Sequence, residues 1–307
     1  MTDDHRTGSG SGTTHPFGRL LTAMVTPFTA QGELDLDGAA RLATYLVDEQ
    51  ANDAIVVNGT TGESPTTTDA EKEKLVRVVV EAVGDRAKVV AGVGTNDTRY
   101  TIELATRAAQ AGADGLLVVT PYYNKPPQSG LLRHFMAVAD ATGLPVMLYD
   151  IPHRTGAPIA TETLVRLAEH ERIVAVKDAK GDLTATSWVT SRTDLAYYSG
   201  DDALTLPILS VGGVGLVGTS THLSGALTKQ MIEAYERGDL AAARVLHRRL
   251  LPIFTGIFRT QGTILVKAAM AAHDLPAGPV RPPLVDATAE EIAQLRRDCA
   301  EADLALP

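Results

Sequence analysis

The chain has 307 residues, 44% of them hydrophobic and 21% charged, with 37 acidic side chains against 28 basic ones and a net charge of −9. That composition supports a folded core and excludes disorder for most of the chain; acidic residues spread along the sequence argue against a nucleic-acid partner, which selects a basic face. No apolar run approaches the length of a membrane span, and the single cysteine, Cys299, has no disulfide partner within the chain, as suits a reducing compartment.

Residues 1–16 are polar and rich in Gly, Ser and Thr, and they lack the basic start and apolar middle of a signal peptide. They predict a flexible tail and a cytoplasmic protein. From Leu20 onward, short β-rich runs alternate with helical periodicity. The first run, Leu21–Phe28, precedes a stripe of Leu36, Ala40, Ala43 and Val47, with Asp35 placed as an N-cap. Ala54–Asn58 follows, then Thr68 and Glu71, spaced as a capping box ahead of Leu75, Val76, Val79, Val80 and Val83. Lys88–Gly94 leads into Ile102, Ala105 and Ala109, with a stop at Gly112. The later runs are Gly115–Thr120, Pro145–Tyr149, Ile173–Lys177, Ala196–Ser199 and Gly215–Thr219. Several are apolar throughout, as expected of parallel strands covered on both faces.

Eight strand–helix units predict a (β/α)₈ TIM barrel over residues 17–239. The alternative is an open doubly wound sheet, but no Gly-x-Gly-x-x-Gly opens the first helix. From Leu240 the pattern turns wholly helical, over Leu240–Phe258, Thr263–His273 and Thr288–Ala302. This predicts a C-terminal helical appendage over residues 240–307, whose expected jobs are coverage and oligomer contacts.

A barrel carries its active site at the C-terminal ends of its strands. The residues that fall there are Gly59–Glu63, Pro121–Asn124, Tyr149–Gly156, Lys177–Asp178, Ser199–Asp202 and Gly212–Ser220, so one lysine, three tyrosines, two threonines and an arginine are expected to converge on one mouth. Lys177 ends the run Ile-Val-Ala-Val-Lys, where desolvation would lower its pKa and free a neutral nucleophile. The plainer reading is a strand-end lysine that reaches solvent or pairs with Asp178. Tyr149 and Tyr123 can relay the protons that Schiff-base chemistry moves, although tyrosine is equally a core or rim residue. Thr60 and Thr61 offer hydroxyls beside glycines that let backbone N–H groups approach a carboxylate; a strand-ending turn explains them as well. Arg154 can hold a second carboxylate or stand as a solvated loop cation. His134, His153, His222 and His273 show no metal-ligand spacing and are read as structural or surface residues. Glu63, Asp201 and Asp202 are read as turn or cap residues rather than metal ligands, so no metal site is predicted.

These segments together resemble the dihydrodipicolinate synthase family from Leu20 to about Leu295. The resemblance rests on Gly59-Thr-Thr-Gly-Glu-Ser64, Pro121-Tyr-Tyr-Asn-Lys-Pro126, Tyr149-Asp-Ile-Pro-His-Arg-Thr-Gly156, Val176-Lys-Asp-Ala-Lys-Gly-Asp182 and Ser199-Gly-Asp-Asp202, in that order. It implies a cofactor-free class I aldolase of the lysine and diaminopimelate pathway, in which Lys177 condenses with pyruvate and the enamine attacks aspartate semialdehyde. Tyr149, Thr60 and Tyr123 match the family's proton relay, with the Tyr123 position serving the neighbouring subunit. Arg154 matches the residue that receives the semialdehyde carboxylate, Thr61 a pyruvate-carboxylate contact, and Gly200 and Val217 backbone positions lining the pocket. The resemblance also implies a homotetramer of tight dimers.

The sequence departs from the family at Lys180, where many members carry Thr, and at His153, where a small residue is common. In the cleft that binds lysine in feedback-sensitive relatives, Ser64, Asn96 and Tyr122 match. Asp69, Lys72 and Tyr100 stand where histidines and a glutamate would hold the inhibitor, so weak or no inhibition by lysine is expected. Two other readings compete: N-acetylneuraminate lyase or a 2-keto-3-deoxy sugar-acid aldolase, which would suit Tyr123 and Arg154 less, and a barrel that binds a small carboxylate without turnover.

Overall fold

The computed structural model describes residues 15–306. Eight strands, β1 (Leu20–Ala23), β2 (Ala54–Val57), β3 (Lys88–Gly92), β4 (Gly115–Val119), β5 (Val146–Asp150), β6 (Ile173–Asp178), β7 (Ala196–Ser199) and β8 (Gly215–Gly218), close in sequence order into one parallel barrel. Around them run α1 (Leu36–Asp48), α2 (Asp69–Val83), α3 (Thr98–Gln110), α4 (Gln128–Asp140), the single turn α5 (Pro152–Thr155), α6 (Thr161–Leu167), α7 (Leu183–Thr190), α8 (Thr205–Ser210) and α9 (Thr221–Glu236). Three further helices complete the chain, α10 (Leu240–Gly256), α11 (Gly262–Ala272) and α12 (Ala289–Glu301).

The apolar strands divide by parity. Leu21, Ala23, Ala54, Val56, Val90, Leu117, Met147, Ala175 and Ala196 point into the barrel and form one cluster with Tyr149 and Tyr198. Their neighbours Ile55, Val57, Val89, Leu116, Val118, Leu148 and Val176 face the helices in the larger outer shell. Continuous apolarity is thus two buried faces in alternation. Phe17 plugs the interior cluster: at Gly115, the start of β4, a Cβ would lie 2.4 Å from its ring.

The helix caps act as the sequence predicts, whereas the buried face of α1 is Ala39, Leu42, Ala43 and Leu46 rather than the expected stripe of Leu36, Ala40, Ala43 and Val47. Asp35 accepts the Gly38 N–H at 2.8 Å at the head of α1, and Thr68 and Glu71 cap α2 reciprocally. The same box recurs at Thr288 and Glu291 before α12. The first apolar run parts from expectation beyond Ala23: Phe28 leaves the barrel wall, bridging to Leu34 and donating its N–H to Ala277 O at 3.1 Å. On α3 the buried stripe is Thr101, Leu104, Ala105 and Ala108, one step from the Ile102–Ala109 pattern.

The C-terminal helices share the barrel's shell: Ile253, Phe254, Leu265, Val266, Met270, Leu295 and Cys299 belong to the cluster that covers the outer strand faces. Of the expected tail, residues 1–14 lie outside the described residues. His15 and Pro16 lie within them, the His15 ring 2.6 Å from an Arg19 nitrogen and Pro16 bridging to Gly18.

Candidate active site

A cavity of about 440 Å³ opens at the C-terminal ends of the strands. Thr60, Thr61, Tyr149, Arg154, Lys177 and Gly200 all line it, so the structure brings together six residues singled out from the sequence.

Lys177 and Tyr149 are register partners across β5 and β6, both on the inward parity. The Lys177 ammonium sits 4.3 Å from the centroid of the Tyr149 ring, and both side chains are buried. Burial lowers the Lys177 pKa from 10.5 to about 8; the Asp202 charge opposes that shift and Arg154 assists it. At pH 7 the neutral amine is therefore roughly 300-fold more abundant than in an ordinary lysine. Burial pushes Tyr149 the other way, up to about 12, so the phenol keeps its proton; Arg154 and the Thr60 hydroxyl, within hydrogen-bonding reach, both temper the rise. A neutral amine beside a protonated phenol is what carbinolamine formation and dehydration require.

Asp178 does not pair with Lys177. It points outward, accepting the N–H groups of Lys180 and Gly181 at 2.7 and 3.1 Å and the Thr186 hydroxyl at 3.1 Å. Lys180, the departure from the family pattern, instead lies 3.2 Å from the fully buried Asp150 carboxylate. Burial raises Asp150 to about 6, against the opposing charge of Lys180.

Thr61 is buried, its hydroxyl 3.2 Å from that of Thr219 at the end of β8. Arg154 stands on α5 at the exposed rim, and His153 beside it also lines the cavity, which the sequence reading had left as structural or surface. The fully buried Asp202 exceeds the turn role expected of it. It accepts the N–H groups of Thr219 and Ser220 at 3.1 and 2.8 Å together with the Ser220 hydroxyl, and so holds the turn after β8 against the pocket. Burial raises its pKa to about 6.

Other expected contributors lie elsewhere. Tyr122 and Tyr123 are 40% and 89% exposed and neither lines the cavity, so one tyrosine rather than three reaches it within this chain. Val217 is buried in the barrel interior, and Thr219, two residues on, lines the pocket instead. The sequence reading missed the C-terminal wall, which Phe254, Phe258, Gln261 and Thr263 supply. Phe254 and Thr263 lie on α10 and α11 and Phe258 and Gln261 in the connection between them, and helical periodicity does not show which strand ends that segment covers.

Comparison with known proteins decides between these readings. Residues 16–302 match the dihydrodipicolinate synthetase family. The chain belongs to this family. It is 73% identical over 287 residues to the 4-hydroxy-tetrahydrodipicolinate synthase of Acidothermus cellulolyticus, covering 94% of this chain and 93% of that one. It is 64% identical over 285 residues to 4-hydroxy-tetrahydrodipicolinate synthase 2 of Streptomyces coelicolor, covering 93% and 95%. Among solved structures, the lysine-bound family member from Cyanidioschyzon merolae superposes with a TM-score of 0.93 at 45% identity, over 95% of this chain and 100% of that one. The barrel, its C-terminal helices and the family resemblance all stand as read from the sequence.

Proposed function

We propose that this chain condenses pyruvate with L-aspartate 4-semialdehyde to give 4-hydroxy-tetrahydrodipicolinate, in lysine and diaminopimelate biosynthesis, through a Schiff base on Lys177. The supporting observation is the buried, partly neutral amine of Lys177 against the protonated phenol of Tyr149. The names of the relatives supply the product.

The Lys177 nitrogen attacks the pyruvate ketone, and the carbinolamine loses water to an imine. Loss of a methyl proton gives an enamine, whose carbon attacks the aldehyde of the second substrate. The amine of that substrate then closes on the imine carbon and releases Lys177. Each step moves a proton between oxygen, nitrogen or carbon and its surroundings, and Tyr149 with Thr60 forms the relay available in this chain. No cofactor enters the scheme. Thr61 and the backbone at Gly200 hold pyruvate; Arg154, at the rim, receives the semialdehyde carboxylate in a bidentate fork. Tyr123 completes the relay from a second copy, in a homotetramer of paired dimers. Its 89% exposure away from its own pocket supports that assignment. A cytoplasmic location agrees with a biosynthetic role, and no helix among the described residues is long and apolar enough to cross a membrane.

Borohydride reduction in the presence of pyruvate, read by intact mass, tests the scheme. A single adduct that maps to Lys177 is expected. No adduct, or one that persists in Lys177→Ala, removes the Schiff-base mechanism.

A further inference from the structure

The loop Gly59–Glu63 carries Thr60 and Thr61 to the cavity, and two non-glycine residues in the left-handed region bracket it, Asn58 at φ 58° and Glu63 at φ 55°. Such a conformation is unfavourable for a side-chain-bearing residue and persists only where its surroundings over-determine it. At Glu63 those surroundings come from the far end of the chain. One carboxylate oxygen lies 2.6 Å from the Lys267 ammonium on α11, with the two side chains 1% and 3% exposed. The other accepts the backbone N–H of Arg281 at 2.8 Å.

Lys267 is itself fixed from other directions. Its ammonium donates to Pro279 O at 2.8 Å and lies 4.2 Å from the centroid of the Phe28 ring. The Arg281 guanidinium lies 4.0 Å from the same ring centroid and spends its charge on Glu71, at 2.6 Å. The loop is held at two further points: the Thr263 hydroxyl donates to Thr61 O at 2.9 Å, and the Thr26 hydroxyl donates to Gly62 O at 2.6 Å. Neither Glu63 nor Lys267 lines the cavity, so any effect they have on substrate passes through the loop. A buried ion pair contributes little net stability compared with apolar residues of the same volume, yet it enforces one geometry. Here that geometry is the turn two residues beyond Thr61.

We propose that Glu63 and Lys267 are positioning residues for the keto-acid carboxylate: their buried ion pair lets the C-terminal helices set the affinity for pyruvate without touching it. The inference rests on Thr61 serving the pyruvate carboxylate, as proposed above. Breaking the pair releases Glu63 from the left-handed region and shifts Thr61 relative to Lys177. The semialdehyde, received at Arg154 on α5, is held by a different element and is spared.

The test separates the two substrates. Adduct formation with pyruvate and borohydride gives the pyruvate half-saturation, and steady-state kinetics give kcat/KM for each substrate. Lys267→Met should lower kcat/KM for pyruvate about tenfold and Glu63→Gln about threefold, with kcat/KM for the semialdehyde changed less than about twofold. Glu63→Gln retains an acceptor for the Arg281 N–H, so it carries the test if Lys267→Met does not fold. Val138→Ala, fully buried on α4, which packs against α3 and α6 and not against α11, supplies a destabilised control that leaves the loop alone, and its pyruvate half-saturation should not move. Equal losses for both substrates, an unmoved pyruvate constant, or the same shift in Val138→Ala would overturn the proposal while the Lys177 adduct stands. Absence of an adduct in the parent enzyme would overturn this inference together with the reading beneath it.

Discussion

Replacing Lys177 with methionine should stabilise the protein while it abolishes the pyruvate adduct. The amine is buried, and its pKa falls from 10.5 to about 8 because desolvation penalises the charged form. That difference corresponds to about 3 kcal/mol of folding free energy withheld by the ionised amine. The sign follows from proton uptake. Between about 8 and 10.5 the unfolded lysine holds its proton while the folded one has released it, so the parent's stability rises with pH across that window. The penalty is complete below a pH of about 8 and vanishes above about 10.5. Methionine fills a similar volume without charge, although Asp202 loses a nearby cation in the exchange, which trims the gain. Denaturant unfolding of parent and variant at equal protein concentration should show the variant more stable by up to about 3 kcal/mol near pH 7, with the gap narrowing above a pH of about 8 and gone only above about 10.5. A variant less stable than the parent at neutral pH, or a gain indifferent to pH, would refute the claim that the nucleophile is a desolvated amine.

Three other outcomes follow from the site. Tyr149→Phe keeps the ring under Lys177 and removes only the hydroxyl, so turnover should fall by roughly 10²–10⁴; unchanged turnover in steady-state assays would take the phenol out of the relay. Arg154→Ala should depress kcat/KM for the semialdehyde while pyruvate adduct formation stays near the parental level, and an equal loss in both would give Arg154 a structural role. L-lysine in the millimolar range should leave the rate unchanged in a coupled assay. In the cleft, Asp69 accepts the Tyr100 hydroxyl and the Lys72 ammonium donates to Thr67 O, so these groups are already engaged with the protein; millimolar inhibition would show that the ligand displaces those bonds.

The barrel was legible because its strands are short, mostly apolar runs that alternate with helical segments. Asp35 and the Thr68–Glu71 box cap their helices as their spacing predicts. Lys177 was legible for a related reason: an amine at the end of an apolar strand has few destinations. What spacing could not show is where segments distant in sequence come to rest. Glu63 reads as a turn residue because the turn is local, whereas its partner Lys267 lies two hundred residues on, within a helix whose composition announces only a core. Asp202, expected in a turn or cap role, is a similar case. Its partners, the N–H groups of Thr219 and Ser220, exist only once β7 and β8 lie side by side. Tyr123 is a third case: its expected site belongs to another copy of the chain, and within a single copy it is a solvent-facing phenol.

Strand parity, more than any single contact, puts the lysine amine in the pocket. Tyr149, Lys177 and Tyr198 stand in register across three neighbouring strands and face inward, while Asp150, Asp178 and Ser199, one residue further along each strand, stand in register beside them and face the helices. A slip of one residue in β6 would turn Asp178 into the pocket and Lys177 into the outer shell. The pocket would then hold an anion where the chemistry needs an amine, and no neighbouring phenol could repair that. Asp178 opposes such a slip, because its carboxylate receives the first two N–H groups of the turn beyond Ala179 and a hydroxyl from α7. The ion pair of Lys180 with Asp150 ties the end of β5 to the same turn. The acidic residues next to Tyr149 and Lys177 therefore act from the far side of the wall, by keeping each strand in the one register that leaves the amine dry.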